Sequence, residues 1–256
     1  MPDLKYNADA DRLKAEHAQE VIQDRIAQEK DHSYIRDAVL GAIDGAVTTF
    51  AVVCGVVGGQ LPASVAVLLG FANLFADGFS MAVGNFEGTK SESDMIERAR
   101  EIEAHHIREV PESEIEEIRE IYRQKGFEGS IVDEIAETIT SDEELWIDTM
   151  VTEEWGLPLE SPNPYRAGVV TFGAFVAVGL VPLTPFVFYQ SSTVSGMFLT
   201  SVIATGIAFF AIGLLKGKYT ESPVVQSGVT TFLTGGGAAA VSYLVGYLLR
   251  GIAGGA

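Results

Sequence analysis

Three long segments of the chain contain no Lys, Arg, Asp or Glu, and they constrain the fold more than any other feature. They cover residues 45–76, 167–215 and 222–249, which makes them 32, 49 and 28 residues long. A helix of about 20 apolar residues is enough to cross a lipid bilayer. The pattern therefore predicts an integral membrane protein and excludes a single water-soluble globule.

Turn-forming residues divide the two longer segments into separate helices. Gly58, Gly59 and Pro62 interrupt the first segment, and the polar residues 189–192 interrupt the second. Helices rarely continue through clusters of this kind. The chain is therefore predicted to be all-α, with five transmembrane helices near residues 36–58, 62–87, 165–189, 194–215 and 225–249.

Negative charge is concentrated in one part of the chain. The formal net charge is −18, and residues 89–160 alone carry 22 acidic and seven basic side chains. A nucleic-acid partner is excluded, because it would require a basic surface. The single cysteine, Cys54, excludes a disulfide scaffold. We therefore divide the chain into an N-terminal polar, amphipathic helix (1–31), two spans (32–88), an acidic helical domain (89–160) and three further spans (161–256).

Basic residues near the ends of the spans predict the orientation, because Lys and Arg are enriched on the cytoplasmic side of membrane proteins. The links between spans one and two and between spans three and four carry no charge. We therefore expect the N-terminus, the acidic domain and the link between spans four and five to be cytoplasmic. The basic residues on that side are Lys30, Arg36, Arg166, Lys216 and Lys218, and Arg250 is the exception on the other side.

Two carboxylates are predicted to lie at bilayer depth. Asp44 falls inside the first span and Asp77 inside the second, and residues 38–88 contain no Lys or Arg. A charge in this environment costs several kcal/mol unless it is paired, hydrated or protonated. Asn73 and Met81 lie four residues before and after Asp77, on the same helical face. Amide, carboxylate and thioether donors together favour a transition metal over Mg²⁺ or Ca²⁺; the alternative is that Met81 only packs against lipid or core.

Start and stop signals predict four short helices in the acidic domain. A start is marked by a capping residue or by proline in the first turn, and a stop by glycine. The first of these helices is expected to end near Glu109. The predicted starts are the capping box Ser91–Asp94, Pro111, Ser130 and Ser141.

Acidic side chains in these helices recur at spacings of three and four residues, which place them on one helix face. Such pairs can chelate a divalent cation, and the mixed donors suit Fe²⁺, Mn²⁺ or Zn²⁺. The alternative is an ordinary solvated surface, since Glu-x-x-Glu is common on exposed helices. We favour a metal site because the pairs lie in a strongly acidic domain. The pairs are Glu103 with His106, Glu114 with Glu117, Glu117 with Glu120, and Met150 with Glu154.

Glycine pairs with a spacing of four residues occur in the predicted spans. Pairs of this kind let membrane helices approach closely. The alternative is that glycine is simply common in membrane helices. The pairs are Gly41 with Gly45, Gly55 with Gly59, and Gly251 with Gly255.

Two segments resemble the signatures of a known family. The segment 35–45 (IRDAVLGAIDG) is similar to the first-helix signature of the vacuolar iron transporter family, and the segment 72–84 (ANLFADGFSMAVG) is similar to its second-helix signature. The resemblance extends from about residue 32 to the C-terminus and includes an insert between spans two and three. In spans three to five it is mainly one of pattern.

The resemblance implies a homodimer of five-helix subunits that exchanges cytosolic Fe²⁺, and often Mn²⁺, for protons. The translocation path would run between the subunits and would be lined by Asp44 and Met81. The insert would collect metal through glutamate pairs, a methionine and a further glutamate. The corresponding residues here are Glu103, His106, Glu114, Glu117, Met150 and Glu154.

The chain departs from the family pattern at two positions. His106 stands where the pattern has glutamate, which changes the donor set of the insert. Asn85, followed by Phe86, stands where glutamate followed by an aromatic residue is usual, so one carboxylate at the membrane edge is missing unless Glu87 replaces it.

The leading hypothesis is a proton-coupled divalent metal antiporter that exports Fe²⁺ and Mn²⁺ from the cytosol, and not an enzyme. No prosthetic group is expected; Fe²⁺, or Mn²⁺, Zn²⁺ or Co²⁺, would be the bound substrate. The expected partners are the lipid bilayer, divalent metal ions, protons and a second copy of the chain. We expect a prokaryotic plasma membrane, with a vacuolar membrane as the alternative.

Two hypotheses of other classes stay open at this point. A membrane-anchored ferritin-like ferroxidase would need a Glu-x-x-His motif on each of two helices, and the acidic domain contains a single one, Glu103–His106. The acidic domain could instead be a regulatory sensor or an assembly surface.

Overall fold

The structure is a computed structural model that describes residues 17–19, 33–188 and 193–253. The chain divides into two units, 1–33 and 34–256. Only residues 17–19 and 33 of the first unit are described, so the polar helix predicted in residues 1–31 lies outside the described residues. The link predicted at 189–192 also lies outside them.

The second unit is helical throughout its described part and contains no strand there. Five of its helices are long and apolar enough to cross a membrane, which confirms the five predicted spans. The helices are α1 Ile35–Gly58, α2 Ala63–Glu109, α3 Pro111–Gln124, α4 Ser130–Thr140, α5 Glu143–Glu153, α6 Pro164–Phe188, α7 Val194–Tyr219 and α8 Val224–Ala253. The five long apolar helices are α1, α2, α6, α7 and α8, and the three shorter helices lie between α2 and α6 in the chain.

The helix that forms the second span continues past the predicted end of that span. Helix α2 runs without interruption for 47 residues, a length of about 70 Å, from the apolar region into the acidic domain. The helix start predicted at Ser91–Asp94 is therefore wrong. A capping box stabilises amides that have no carbonyl partner, and inside a continuing helix the preceding turn already supplies those partners.

The last helix of the acidic domain also begins differently from the prediction. Helix α5 starts at Glu143, and the side chain of Asp142, not that of Ser141, accepts hydrogen bonds from the amides of Glu144 and Leu145. Aspartate at this position also places a negative charge at the positive end of the helix. The predicted starts at Pro111 and Ser130 are confirmed.

Helix α1 is the central helix of the membrane region, since it contacts α2, α6, α7 and α8. Its closest neighbour is α6, which crosses it at Gly41 and Gly45. A Cβ atom added at Gly45 would lie 2.9 Å from the Cα atom of Phe175, and one added at Gly41 would collide with the backbone of Thr171. The first predicted glycine pair therefore does allow two helix backbones to approach closely.

The acidic domain has an apolar core of its own. Its buried side chains come from the outer part of α2 and from α3, α4 and α5. Ion pairs join the same helices on the outside: Arg100 on α2 binds Glu144 and Asp148 on α5, and Arg119 on α3 donates to Asp133 on α4 over 2.9 Å. Helices α3 and α5 thus pack onto an extension of the second membrane helix, and α4 packs on α3 and α5.

Replacing Gly45 with alanine is expected to destabilise the membrane region by about 1–3 kcal/mol, the usual cost of overpacking, because the new methyl group meets backbone atoms that cannot turn away. Thermal unfolding of the purified protein in detergent measures the change. Gly173→Ala on α6 is the matched control, since no atom lies within 4 Å of its added Cβ. Equal unfolding temperatures for the two variants would contradict this account of the α1–α6 contact.

Candidate metal path and capture site

The four predicted path residues lie on two neighbouring spans. Asp44 is on the central helix α1, and Asn73, Asp77 and Met81 are on α2; all four are half-buried. The carboxyl groups of Asp44 and Asp77 are close enough to interact electrostatically. Met81 also packs against the apolar core of the membrane region.

Neither of these carboxylates has a counter-charge among the residues that the structure describes. Within the described part of the chain, no ion pair or side-chain hydrogen bond reaches the carboxylate of Asp44 or Asp77; the hydroxyl of Thr48 bonds only to the backbone oxygen of Asp44. Two neighbouring acids without a base repel each other, and a cation or a proton relieves the repulsion.

A polar cluster joins three spans near one end of the membrane region. The amide nitrogen of Asn85 on α2 donates to Asp37 on α1 over 2.9 Å and to the hydroxyl of Thr171 on α6 over 2.8 Å. Asp37 and Thr171 are both buried, and Glu87 is exposed. Asn85 therefore supplies a hydrogen-bond donor to a buried carboxylate.

Three predicted metal ligands come together in the acidic domain. Glu103 and His106, on successive turns of α2, meet Glu114 in the first turn of α3, because the two helices are joined by a short link at Val110 and Pro111. One ligand atom from each of the three lies within 4.8 Å of the others. The Nδ1 atom of His106 is 3.4 Å from Oε1 of Glu114. We call Glu103, His106 and Glu114 the capture triad.

The two glutamates of the capture triad are almost completely buried and only partly satisfied. Glu103 is 1% exposed and Glu114 is 2% exposed. The Oε2 atoms of both are buried without a hydrogen-bond partner. Buried carboxylate oxygens without partners are costly, and they are rare unless they bind an ion or a proton. The geometry therefore fits a cation held by one oxygen of each glutamate, with the more exposed imidazole as a third donor.

The electrostatics of the capture triad favour proton uptake when no metal is bound. Burial, together with the charges of Glu117 and Glu103, raises the pKa of Glu114 from 4.5 to about 7, while His106 opposes the shift and Glu154 adds to it. The pKa of Glu154 is also raised, because its carboxyl group is partly removed from water and lies near the charges of Glu103 and Glu117.

The remaining predicted ligands have different surroundings. Glu117 and Glu154 are exposed, and their charges act on Glu114. Met150 is fully buried and packs with the apolar side chains of the acidic domain's core. Glu120 is exposed and pairs with Arg123.

One functional neighbour was not predicted from the sequence. The indole nitrogen of Trp155 donates to Oε1 of Glu103 over 2.7 Å. The only sequence signal for this contact is a tryptophan at the end of a helix in a strongly acidic domain, and that signal carries no information about its partner.

Comparison with known proteins identifies relatives over most of the chain. The family model described as VIT family matches residues 35–247. A vacuolar iron transporter of Toxoplasma gondii is 30% identical over 96% of this chain and 86% of its own length. Vacuolar iron transporter 1 of Oryza sativa subsp. japonica is 34% identical over 82% of each chain, and vacuolar iron transporter 1 of Tulipa gesneriana is 32% identical over 85% of this chain and 88% of its own.

These relatives are named transporters and not enzymes, which agrees with the prediction made for this chain. The family model covers both helix signatures, all three short helices and most of the last span. The chain therefore belongs to the VIT family, the vacuolar iron transporter family that its two helix signatures predicted.

Proposed function

We propose that the protein is a proton-coupled antiporter that exports Fe²⁺, and also Mn²⁺, from the cytosol. The observation that carries the proposal is the presence of two carboxylate sites that lack a Lys or Arg partner among the described residues, one in the spans and one in the acidic domain, with helix α2 supplying Asp77 to the first and Glu103 to the second. The names of the relatives support iron as the transported ion.

The first step is capture at the acidic domain. Its excess of negative charge attracts cations from solution. An ion that reaches the capture triad meets two anionic oxygens and one imidazole, and water can complete the coordination. Imidazole with carboxylate suits Fe²⁺, Mn²⁺, Zn²⁺ and Co²⁺, whereas Mg²⁺ and Ca²⁺ prefer oxygen donors alone.

The second step moves the ion toward the spans. Asp77 and Glu103 are separated by 26 residues of one continuous helix, which corresponds to about 39 Å. The distance is too great for direct transfer, so the ion leaves the capture triad before it binds Asp44, Asp77 and Met81, with Asn73 as a further oxygen donor.

Proton coupling follows from the missing counter-charges. The pair of Asp44 and Asp77 is stabilised by a divalent ion or by protons, and not by the protein itself. A proton that arrives from the far side of the membrane competes with the metal for the same oxygens. Release of the metal and uptake of the proton are thereby linked.

The proposal includes a homodimer with a cytoplasmic acidic domain. The distribution of Lys and Arg around the spans supports this orientation. Large exposed apolar side chains on α2, α7 and α8 leave surface for lipid and for a second copy. A prokaryotic plasma membrane or a vacuolar membrane fits this arrangement.

The ferritin-like alternative receives less support. A di-iron site of that type needs two Glu-x-x-His motifs on facing helices. Among the described residues, a single group of three or more candidate ligands is found, and it contains one such motif, Glu103–His106.

Replacing Asp44 with asparagine is expected to reduce Fe²⁺ transport by about tenfold or more, because the neutral side chain neither attracts the ion nor exchanges it for a proton. The assay is uptake of Fe²⁺ and Mn²⁺ into proteoliposomes with and without a pH gradient. Thr48→Val is the matched control: it alters the same helix one turn later, and its hydroxyl contacts only backbone oxygen. Undiminished, gradient-dependent transport by Asp44→Asn would exclude the proposed mechanism.

Replacing Glu103 and Glu114 together with glutamine is expected to weaken metal binding by about 100-fold or more, because the loss of two ligands should cost at least as much as the largest outer-shell effects, which are about 100-fold. Calorimetric titration of the purified full chain with Mn²⁺ or Co²⁺ measures the loss. The control is Glu116→Gln with Glu120→Gln, which removes two exposed charges from the same helix α3. Equal losses in both variants would indicate general charge attraction in place of a defined site.

The metal-free protein is expected to lose stability as the pH rises through about 7. Glu114 has a pKa of 4.5 when unfolded and about 7 when folded, so its contribution is fully present below pH 4.5 and is lost as the pH rises through the folded value. Metal binding requires the deprotonated form and should release about one proton in mildly acidic buffer.

The measurement is thermal unfolding of the wild type and Glu114→Gln without metal, between about pH 5 and pH 8. Glu114→Gln should lack this part of the pH dependence. Parallel stability curves for the two proteins would contradict the raised pKa of Glu114.

A further inference from the structure

The hydrogen bond from Trp155 to Glu103 divides the roles of the two carboxylate oxygens. Oε1 accepts the indole N–H over 2.7 Å, and Oε2 is buried without any partner. One oxygen of this buried side chain is therefore held by the protein, and the other is available.

We infer that Trp155 is a positioning residue of the capture triad, which fixes Glu103 so that it binds metal through Oε2 alone. The inference rests on the proposed capture of metal by this triad and adds a residue to it. Trp155 itself does not touch the ion, since the indole nitrogen can donate but cannot accept.

The backbone on both sides of Trp155 is well defined, although the residue itself is 44% exposed. Helix α5 ends at Glu153, and Gly156 adopts a φ of +65°, a conformation that favours glycine. The turn closes with a hydrogen bond of 3.1 Å from the amide of Leu157 to the oxygen of Val151, and Leu157 packs against the apolar core of the acidic domain. Trp155 is thus fixed on both sides along the chain.

A fixed Glu103 carboxylate limits the number of donor atoms that the capture triad can offer to a metal ion. With Glu103 held through Oε1, the capture triad supplies Glu103 Oε2, one oxygen of Glu114 and one imidazole nitrogen. Without the indole N–H, Glu103 can rotate and present both oxygens, which raises the coordination number. Partners in the outer shell orient metal-binding carboxylates, and their loss commonly weakens affinity about 10–100-fold.

A purely structural role for Trp155 is the competing explanation, because the side chain could simply cover the acidic domain. The chain offers a matched control. It contains two tryptophans, and the indole nitrogen of the other, Trp146, is buried without a hydrogen-bond partner in the apolar core of the acidic domain. Trp146→Phe therefore removes an indole N–H without removing a contact to a carboxylate.

The experiment is a Co²⁺ titration of the purified full chain, followed by calorimetry and by visible absorption. Four-coordinate Co²⁺ absorbs much more strongly than six-coordinate Co²⁺, so the spectrum reports the number of donors. Trp155→Phe should weaken binding about tenfold and lower the molar absorbance. Trp146→Phe should keep the affinity and the spectrum of the wild type.

Glu103→Gln separates failure of this inference from failure of the proposed function. If Glu103→Gln binds Co²⁺ as the wild type does, the triad does not capture metal and both proposals are overturned. If Glu103→Gln loses binding while Trp155→Phe matches Trp146→Phe in affinity and spectrum, only the role of Trp155 is overturned.

A second measurement does not depend on the folding of Trp155→Phe. In the full chain labelled with ¹⁵N-tryptophan, Trp146→Phe assigns the two indole signals. Addition of diamagnetic Zn²⁺ should shift the Trp155 signal in the wild type and leave it unmoved in Glu103→Gln. An unmoved Trp155 signal in a Zn²⁺-saturated wild type would contradict the inference.

Discussion

A carboxylate removed from water without Lys or Arg as a partner is the constraint on which both candidate sites of this protein depend. Among the described residues, Asp44 and Asp77 meet this condition inside the spans, and Glu103 and Glu114 meet it in the acidic domain, where the imidazole of His106 lies beside Glu114. In each place the fold could have supplied Lys or Arg as a partner. Without such a partner, the unfavourable free energy of burying the carboxylate is offset only when an ion or a proton binds. Binding of the ion or proton therefore stabilises the folded chain.

The membrane helices make this arrangement possible by packing closely around α1. At Gly41 and Gly45 the backbones of α1 and α6 are in direct contact, because no side chain separates them. This close packing stabilises the position of α1, which carries Asp44. Helix α2 then carries the second acid and continues out of the apolar region to Glu103.

Much of this architecture could be predicted from the sequence, since it depends on local or one-dimensional signals. The charge-free segments predicted all five spans, and Pro111 and Ser130 predicted two helix starts. The continuation of α2 past Ser91 could not be predicted, because a capping box has the same sequence whether it begins a helix or lies within one. Asp142 and Ser141 are both good caps, and only the path of the backbone selects between them.

The candidate sites were predictable to a smaller extent. Spacing placed Glu103, His106 and Glu114 in candidate pairs, but it did the same for Glu117, Glu120, Met150 and Glu154. The burial that distinguishes Glu114 from Glu117 depends on how α3 packs against α2. The contact from Trp155 to Glu103 joins residues 52 positions apart and has no sequence signature. The Asn85 cluster likewise joins three spans, and its partners emerge only from the tertiary fold.

His106 affects the net charge of the proposed capture site when a divalent cation is bound. Two buried carboxylates and a neutral imidazole balance one divalent cation, so the loaded site is neutral. A third carboxylate in place of His106 would leave one negative charge in the same buried surroundings, favouring either a protonated acid or a second cation. In the proposed capture site, histidine would therefore favour occupation by a single divalent ion, and its nitrogen donor would discriminate against Mg²⁺ and Ca²⁺.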